Sequence, residues 1–390
     1  MSTVTENPAD AILDAVCTPL FQSLRRSDQR RRGVEYIQGL LSTRGRKSIR
    51  NMAALIGGNG TGQGLHHFIC SSTWDWTLVR RAMARYLLET APPQAWVARP
   101  MIIPKVGTHS VGVSKYFSPA EGQLLSAQRA IGVWAVSDRM TAPVNWRLHL
   151  PQAWFKDGLR RNQASIPCDL GPETLGDCLL TACREMAREW DLPARPVVVD
   201  IDEIDPVATV AGLRAAGIPA LVRVTGETRL TVSDSALTGH GAHRLAAAEI
   251  VRAARHLRRP VMWQDFASGP RARTSLITVA RVRVPGASVH RDGGQLLLVG
   301  VGRAGRPEAD ELWLTDLPPT QVASVPQLSG YCRRVDQDFE EVTAQVGIRD
   351  YVGRSYSGWH RHVTLASAAH TVAVLSAAAR LPSLQRATAS

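Results

Sequence analysis

The chain has 390 residues, 44% of them hydrophobic, and a net charge of +12. That size and apolar content exclude wholesale disorder and leave room for more than one domain. The basic excess fits a polyanionic partner, unless it reflects the arginine-rich composition alone.

Along the chain, residues 1–91 read as a helical region. PADAILDAVCTPLFQSL has apolar residues at helical spacing. Two basic runs follow, RRSDQRRR with Arg25, Arg26, Arg30, Arg31 and Arg32, and RGRKSIR with Arg46 and Lys47. Such runs serve either as solvated helix faces or as phosphate contacts. GGNGTGQG at 57–64 lacks the Gly-Lys-Ser/Thr of a P-loop and reads as a turn. STWDWTLVRRAMARYLLE at 72–89 reads as a capped amphipathic helix, with Asp75 in its first turn.

Residues 92–226 change texture. WVARPMII, HSVGVSKYF, LSAQRAIGVWAVSD and PVNWRLHLP read as strands of an antiparallel meander. A helix is predicted over 173–190. PVVVDIDEIDPVATVAGLRAAGIPALVRVTG then runs strand, acidic turn, helix, Gly217, strand, a βαβ pattern. Residues 227–325 read as a largely β insertion that includes an Ala-rich helix at 242–257. Residues 326–382 are helical again, and 383–390 form a tail.

The cysteines, Cys17, Cys70, Cys168, Cys178, Cys183 and Cys332, form no CxxC pair and have no zinc-spaced histidine, so reduced thiols are expected. The N-terminus lacks a basic, apolar leader. No segment reaches the roughly 18 to 20 apolar residues of a membrane span. A cytoplasmic, nucleoid-associated protein is expected, with no membrane partner.

Chemistry is suggested where acids concentrate. Val197-Val198-Val199 reads as a buried central strand, followed by Asp200, Asp202, Glu203 and Asp205. At a period of two, Asp200 and Asp202 share a face and suit Mg²⁺ or Mn²⁺, which take hard oxygen ligands. The alternative is an acidic loop capping the helix after Pro206. Near the C-terminus, YCRRVDQDFEEVTAQVGIRDYVGRSYSGWHRHVTLASAAHTVAVL holds a second acidic run. His360 and Arg361 open the helix that follows and read either as phosphate contacts at its N-terminus or as scaffold.

The chain resembles the transposases of bacterial insertion sequences, of the DDE superfamily endonuclease type. The resemblance is carried by KVGTHSVGVSKYF, by AIGVWAV with LPQAW, and by VDQDFEEVTAQVGIRDY with GWHRHVTLASAAH. It implies a mixed α/β fold: a ribonuclease-H-like mixed sheet flanked by helices, after a helical DNA-binding region, with a β-rich insertion before the last catalytic helix. It implies cutting and joining of DNA by two divalent metals on Asp, Asp and Glu.

Residue by residue, the second acid falls at Asp202, with Asp205 where a tyrosine often stands. The third falls at Asp336, three residues before Phe339, as Asp in place of Glu; Asp338, Glu340 and Glu341 are neighbouring alternatives. The first falls at Arg99, and no carboxylate lies between Thr90 and Glu121. A fixed positive charge there opposes metal binding.

The expected function is therefore a DNA-binding relative impaired in cutting, with double-stranded DNA as partner and Arg25, Arg26, Arg30, Arg31, Arg32, Arg46, Lys47, Arg334, His360 and Arg361 as candidate contacts. A homodimer is compatible with this. Two alternatives stand beside it: an active enzyme using Mg²⁺ or Mn²⁺ on Asp200, Asp202 and Asp336, and a protein-interaction scaffold. An inactive protein would carry no cofactor.

Overall fold

The computed structural model describes residues 8–57, 60–118, 122–237, 244–266, 271–284 and 295–387, with side chains to Arg380. Gly58 and Asn59 of the glycine-rich stretch and the last three residues of the expected tail lie outside them.

Five helices open the chain: α1 (Pro8–Leu20), α2 (Ser27–Ser42), α3 (Ile49–Ile56), α4 (Thr61–Cys70) and α5 (Trp76–Thr90). The α5 cap is Asp75 itself, accepting from the Thr77 backbone N–H at 2.8 Å. Strands β1 (Ala95–Pro104), β2 (Ser114–Ser118), β3 (Gln123–Val136) and β4 (Thr141–Leu148) fall where strands are expected, but only β2, β3 and β4 follow one another as a meander. Short helices α6 (Ala153–Lys156) and α7 (Gly158–Gln163) precede α8 (Leu175–Arg184), which continues as a π turn over Glu185–Glu189.

The βαβ unit is β5 (Val197–Val199), α9 (Pro206–Ala215) and β6 (Ala220–Val224). The predicted insertion contains β7 (Arg229–Val232), β8 (Arg244–Ala246), α10 (Ala247–Ala253), β9 (Arg259–Asp265), β10 (Arg271–Arg283), β11 (Gln295–Gly302) and β12 (Glu311–Thr315). Helix α11 (Val325–Asp338), a π turn over Phe339–Thr343 and the long α12 (Tyr356–Ala387) close the chain. Helix α12 runs on to Ala387, into the segment expected as a tail.

The chain divides into two compact units. The first comprises Met1–Pro93, Pro100–Ala182 and Gln337–Ser390. In it β2–β3–β4 pair antiparallel, and α12 packs on β4, α1 and α2. Its core holds Trp134, Trp146, Trp154, Phe339 and Trp359, all fully buried. Gly132 lets β3 pass Trp146: a Cβ there would lie 2.6 Å from the indole ring.

One stretch of α12, Tyr356–Arg380, is long and apolar enough to cross a membrane, with a mean hydropathy of 1.3. This corrects the expectation that no segment reaches that length. Its most apolar window is 61% buried inside the protein, because the stripe that makes it apolar is the core of this unit.

The second unit comprises Gln94–Arg99 and Cys183–Asp336. Its sheet is mixed. The start of β1 runs parallel to β5, and β5 parallel to β6. From β6 outward the pairing is antiparallel through β12, β11, β10, β7 and β8, with β9 also on β10. The three valines of β5 are buried, as strands covered on both faces require.

Candidate functional site

The site of interest lies in the second unit, at the C-terminal ends of its parallel strands. Strand register assembles it. Ala98 pairs with Val199, and Val199 with Val222. The next residues, Arg99, Asp200 and Arg223, therefore stand in a row where the strands end. Trp313 of β12 pairs with Arg223, which brings Glu311 close. Helix α11 supplies Asp336 and Arg333.

Every carboxylate in this row but one has an arginine. Arg99 Nε lies 2.7 Å from Asp336 Oδ1. Arg223 Nη1 lies 3.3 Å from Asp200 Oδ2 and 3.8 Å from Glu311 Oε1. Arg333 reaches Glu311 at 3.5 Å and Asp265 at 4.0 Å, and Arg273 holds Asp265 at 2.6 Å. Asp202 is the exception: it is exposed and makes no ion pair among the described residues.

The electrostatics agree with this clustering. Burial pushes the Asp200 carboxyl above its usual range; Arg223 opposes this, and Glu311, Asp202 and Asp336 add to it. Burial likewise raises the Cys332 thiol well above its ordinary value, helped by Asp200, Asp336 and Glu311. Asp200 is thus close enough to both Asp202 and Asp336 to be affected by their charge.

These side chains do not fit a two-metal centre. Among the described residues no three His, Cys, Asp or Glu side chains converge as a metal-ligand set. A cation at Asp336 would have to displace Arg99, and one at Asp200 would meet Arg223. The guanidinium groups already supply the positive charge that these two carboxylates would otherwise draw from a metal.

Of the two readings of these acids, the shared strand face changes and the capping loop holds at Asp205. Strand β5 ends at Val199, so Asp200 and Asp202 lie in the turn beyond it and the period of two does not govern them. Asp205 is a helix cap, accepting from the Val207 and Ala208 N–H groups at 2.9 and 3.0 Å, with Pro206 at the first helical position.

The alternative acids near Asp336 belong to the first unit and are engaged there. Thr141 donates to Asp338 at 2.5 Å, Arg349 pairs with Glu340 at 2.9 Å, and Gln337 donates to Glu341 at 3.0 Å. Tyr331 is buried, and its hydroxyl donates to Gln94. Arg334 is half-buried, with its guanidinium 6.0 Å from the Phe266 ring.

The other predicted DNA contacts lie in the first unit and divide by exposure. Arg25, Arg26, Arg30 and Arg31 are exposed and Arg32 is half-buried. Arg26 pairs with Asp28 at 2.8 Å and Arg32 with Glu35 at 2.6 Å; Arg31 reaches Glu35 at 3.5 Å, and Arg30 donates to Leu24 O at 2.6 Å. Arg46 is exposed, whereas Lys47 is buried and its ammonium donates to Thr43 O.

His360 and Arg361 are both interior. His360 stacks on Trp76 at 5.0 Å and receives Arg80 Nη2 at 3.1 Å. Arg361 donates to Ile69 O at 3.0 Å and Trp74 O at 3.3 Å. Buried and engaged, neither offers a face to phosphate; both act as scaffold.

Sequence reading missed Arg223 and Glu311. The signal for Arg223 was a single charge inside the apolar strand of ALVRV, which marks a strand end facing a polar site.

The sequence profile of the DDE superfamily endonuclease family matches residues 19–282. That stretch includes Arg99, Asp200 and Asp202 and stops before Asp336. Curated proteins give no match to the chain. With well over half of its length matched, the protein belongs to the DDE superfamily endonuclease family.

Proposed function

We propose that this protein binds double-stranded DNA in the manner of a transposase but no longer cuts it. The observation that carries the reading is the Arg99–Asp336 ion pair at 2.7 Å. Two-metal phosphoryl transfer needs carboxylates free to neutralise two cations. Here one expected ligand position is an arginine, and that arginine occupies another expected ligand. DNA binding needs no such carboxylates, and the net charge of +12 supports it. The protein would work where DNA is, in the cytoplasm or on the nucleoid, as a regulator or a remnant.

The test is duplex binding followed by fluorescence anisotropy, with strand cleavage assayed in Mg²⁺ and Mn²⁺. Binding should weaken about 10³-fold between about 50 and 200 mM salt if some six phosphates are contacted, and the DNA should stay intact. Cleavage abolished by Asp202→Ala would instead establish the active enzyme built on Asp200, Asp202 and Asp336. Absence of binding at low salt would remove DNA as the partner.

A further inference from the structure

The first unit contains a cavity of about 1100 Å³ lined by more cations than carboxylates. Three stretches distant in sequence wall it. The loop after α2 supplies Arg44, Arg46 and Lys47, the residue after β1 supplies Lys105, and the segment after the second π turn supplies Arg349 and Asp350. Five cations therefore face one carboxylate.

That carboxylate is already used, since Asp350 Oδ2 accepts the Lys47 backbone N–H at 2.7 Å. Lys105 Nζ donates to Tyr351 O at 2.6 Å, a neutral partner. Arg349 pairs with Glu340 outside the cavity and lies 4.6 Å from the Phe339 ring, and its buried Nε has no hydrogen-bond partner among the described residues. Arg44 and Arg46 are exposed and make no ion pair among the described residues.

The wall is a built feature. Gly347 has φ +71°, and a Cβ there would lie 2.2 Å from Lys47 Cγ and 2.9 Å from Asp350 Oδ2. Only glycine lets this backbone approach Lys47 and Asp350 so closely. Burial, and after it the Arg46 charge, push Lys105 down to about 8, with Asp350 opposing. In the second unit, by contrast, Arg99, Arg223, Arg273 and Arg333 each face a carboxylate. Like charges around one cavity repel, and an anion that enters relieves the repulsion.

We propose that this cavity is a phosphate-binding site, centred on Arg44, Arg46 and Lys105, that takes two or more linked phosphates. The volume is at the upper end of ordinary ligand pockets and admits a short phosphate chain. The phosphates come either from a DNA backbone or from a free polyphosphate. Only the choice of DNA rests on the function proposed above.

The test uses the full chain, with tripolyphosphate binding by calorimetry and 20-bp duplex binding by anisotropy. The probe variants are Arg44→Ala/Arg46→Ala, both at exposed positions, and Lys105→Gln. Arg303→Ala/Arg306→Ala, in the second unit, is the control. Both probe variants should weaken tripolyphosphate at least about tenfold, and the double variant should lower the duplex salt slope by about two. The control should change neither.

Loss of tripolyphosphate binding with duplex binding intact would assign the site to a free polyphosphate. Tripolyphosphate binding that depends on the cavity, in a protein that binds no DNA, would keep the site and overturn the DNA reading. Wild-type affinity for both ligands in both probe variants would overturn the site and leave the DNA reading standing.

Discussion

Arg99 and Asp336 meet at 2.7 Å, and the two ends of the contact differ in environment: the Arg99 side chain is 16% exposed and that of Asp336 63%. The arginine emerges from a buried strand, whereas the aspartate stands on the outer face of a helix. An ion pair so open to water is screened and contributes little to stability. Asp336→Ala should therefore shift the free energy of unfolding by less than about 1 kcal/mol, as measured by urea denaturation. A loss of several kcal/mol would mean that the pair holds the fold together and does not merely compensate charge.

The interior arginine behaves oppositely. Arg80 is 2% exposed and donates to Thr364 Oγ1 at 2.7 Å, Trp146 O at 2.8 Å and Asn145 Oδ1 at 3.1 Å. Its removal leaves buried acceptors unpaired, so Arg80→Met should cost roughly 3 to 5 kcal/mol. Arg80→Lys should recover little, because an ammonium cannot span the same fork of acceptors. Full stability in the lysine variant would show that charge alone matters there.

Two buried histidines predict acid sensitivity. His362 Nε2 donates to Gly347 O at 3.0 Å and its Nδ1 accepts from Tyr36 at 2.9 Å. His370 Nε2 donates to Thr141 O at 3.1 Å and its Nδ1 accepts from Thr343 at 3.1 Å. A carbonyl only accepts, so each ring carries a proton on Nε2, and burial in both cases favours the neutral form, in which Nδ1 accepts. Burial pushes both down to about 4.

A base held below its unfolded value binds fewer protons folded than unfolded. Stability is thus complete above about pH 6.5 and is lost as pH falls towards 4, by roughly 3 kcal/mol for each histidine. Urea midpoints at pH 7.5 and 4.5 measure this, and a flat profile would contradict neutral burial.

Asp205 separates capping from chemistry. Its carboxylate accepts two backbone N–H groups at the start of α9. Asp205→Ala should lower stability by about 1 kcal/mol and leave DNA affinity unchanged. A change in affinity without a change in stability would return Asp205 to the functional surface.

Much of the fold is legible in the sequence, and the reasons are local. The β-branched run Val197–Val199, the Asp205-Pro206 start and Gly217 set out the βαβ unit without reference to distant residues. The site was legible only where the strand register could be guessed. Arg99 and Asp336 were each found through their place beside a recognisable motif, whereas Arg223 and Glu311 come from strands β6 and β12, whose pairing only folding sets.

His360 and Arg361 misled for the same reason. Polar residues opening an apolar helix look like surface, and the groups that satisfy them, Arg80, Trp76 and the Ile69 carbonyl, lie some three hundred residues earlier. The basic cavity also escaped sequence reading. Arg46 and Lys47 stood out within a charge run, whereas Lys105 and Arg349 are single cations that only folding brings to the same wall.

Arginine in place of a metal cation at the strand ends is tested most directly by titrating the full chain with Mn²⁺ and following the free ion by electron paramagnetic resonance. No binding in the micromolar range is expected. A site at least about tenfold tighter should appear in Arg99→Asp, where the repulsive charge becomes a ligand. Micromolar Mn²⁺ binding by the unaltered protein, lost in Asp336→Asn, would contradict the replacement.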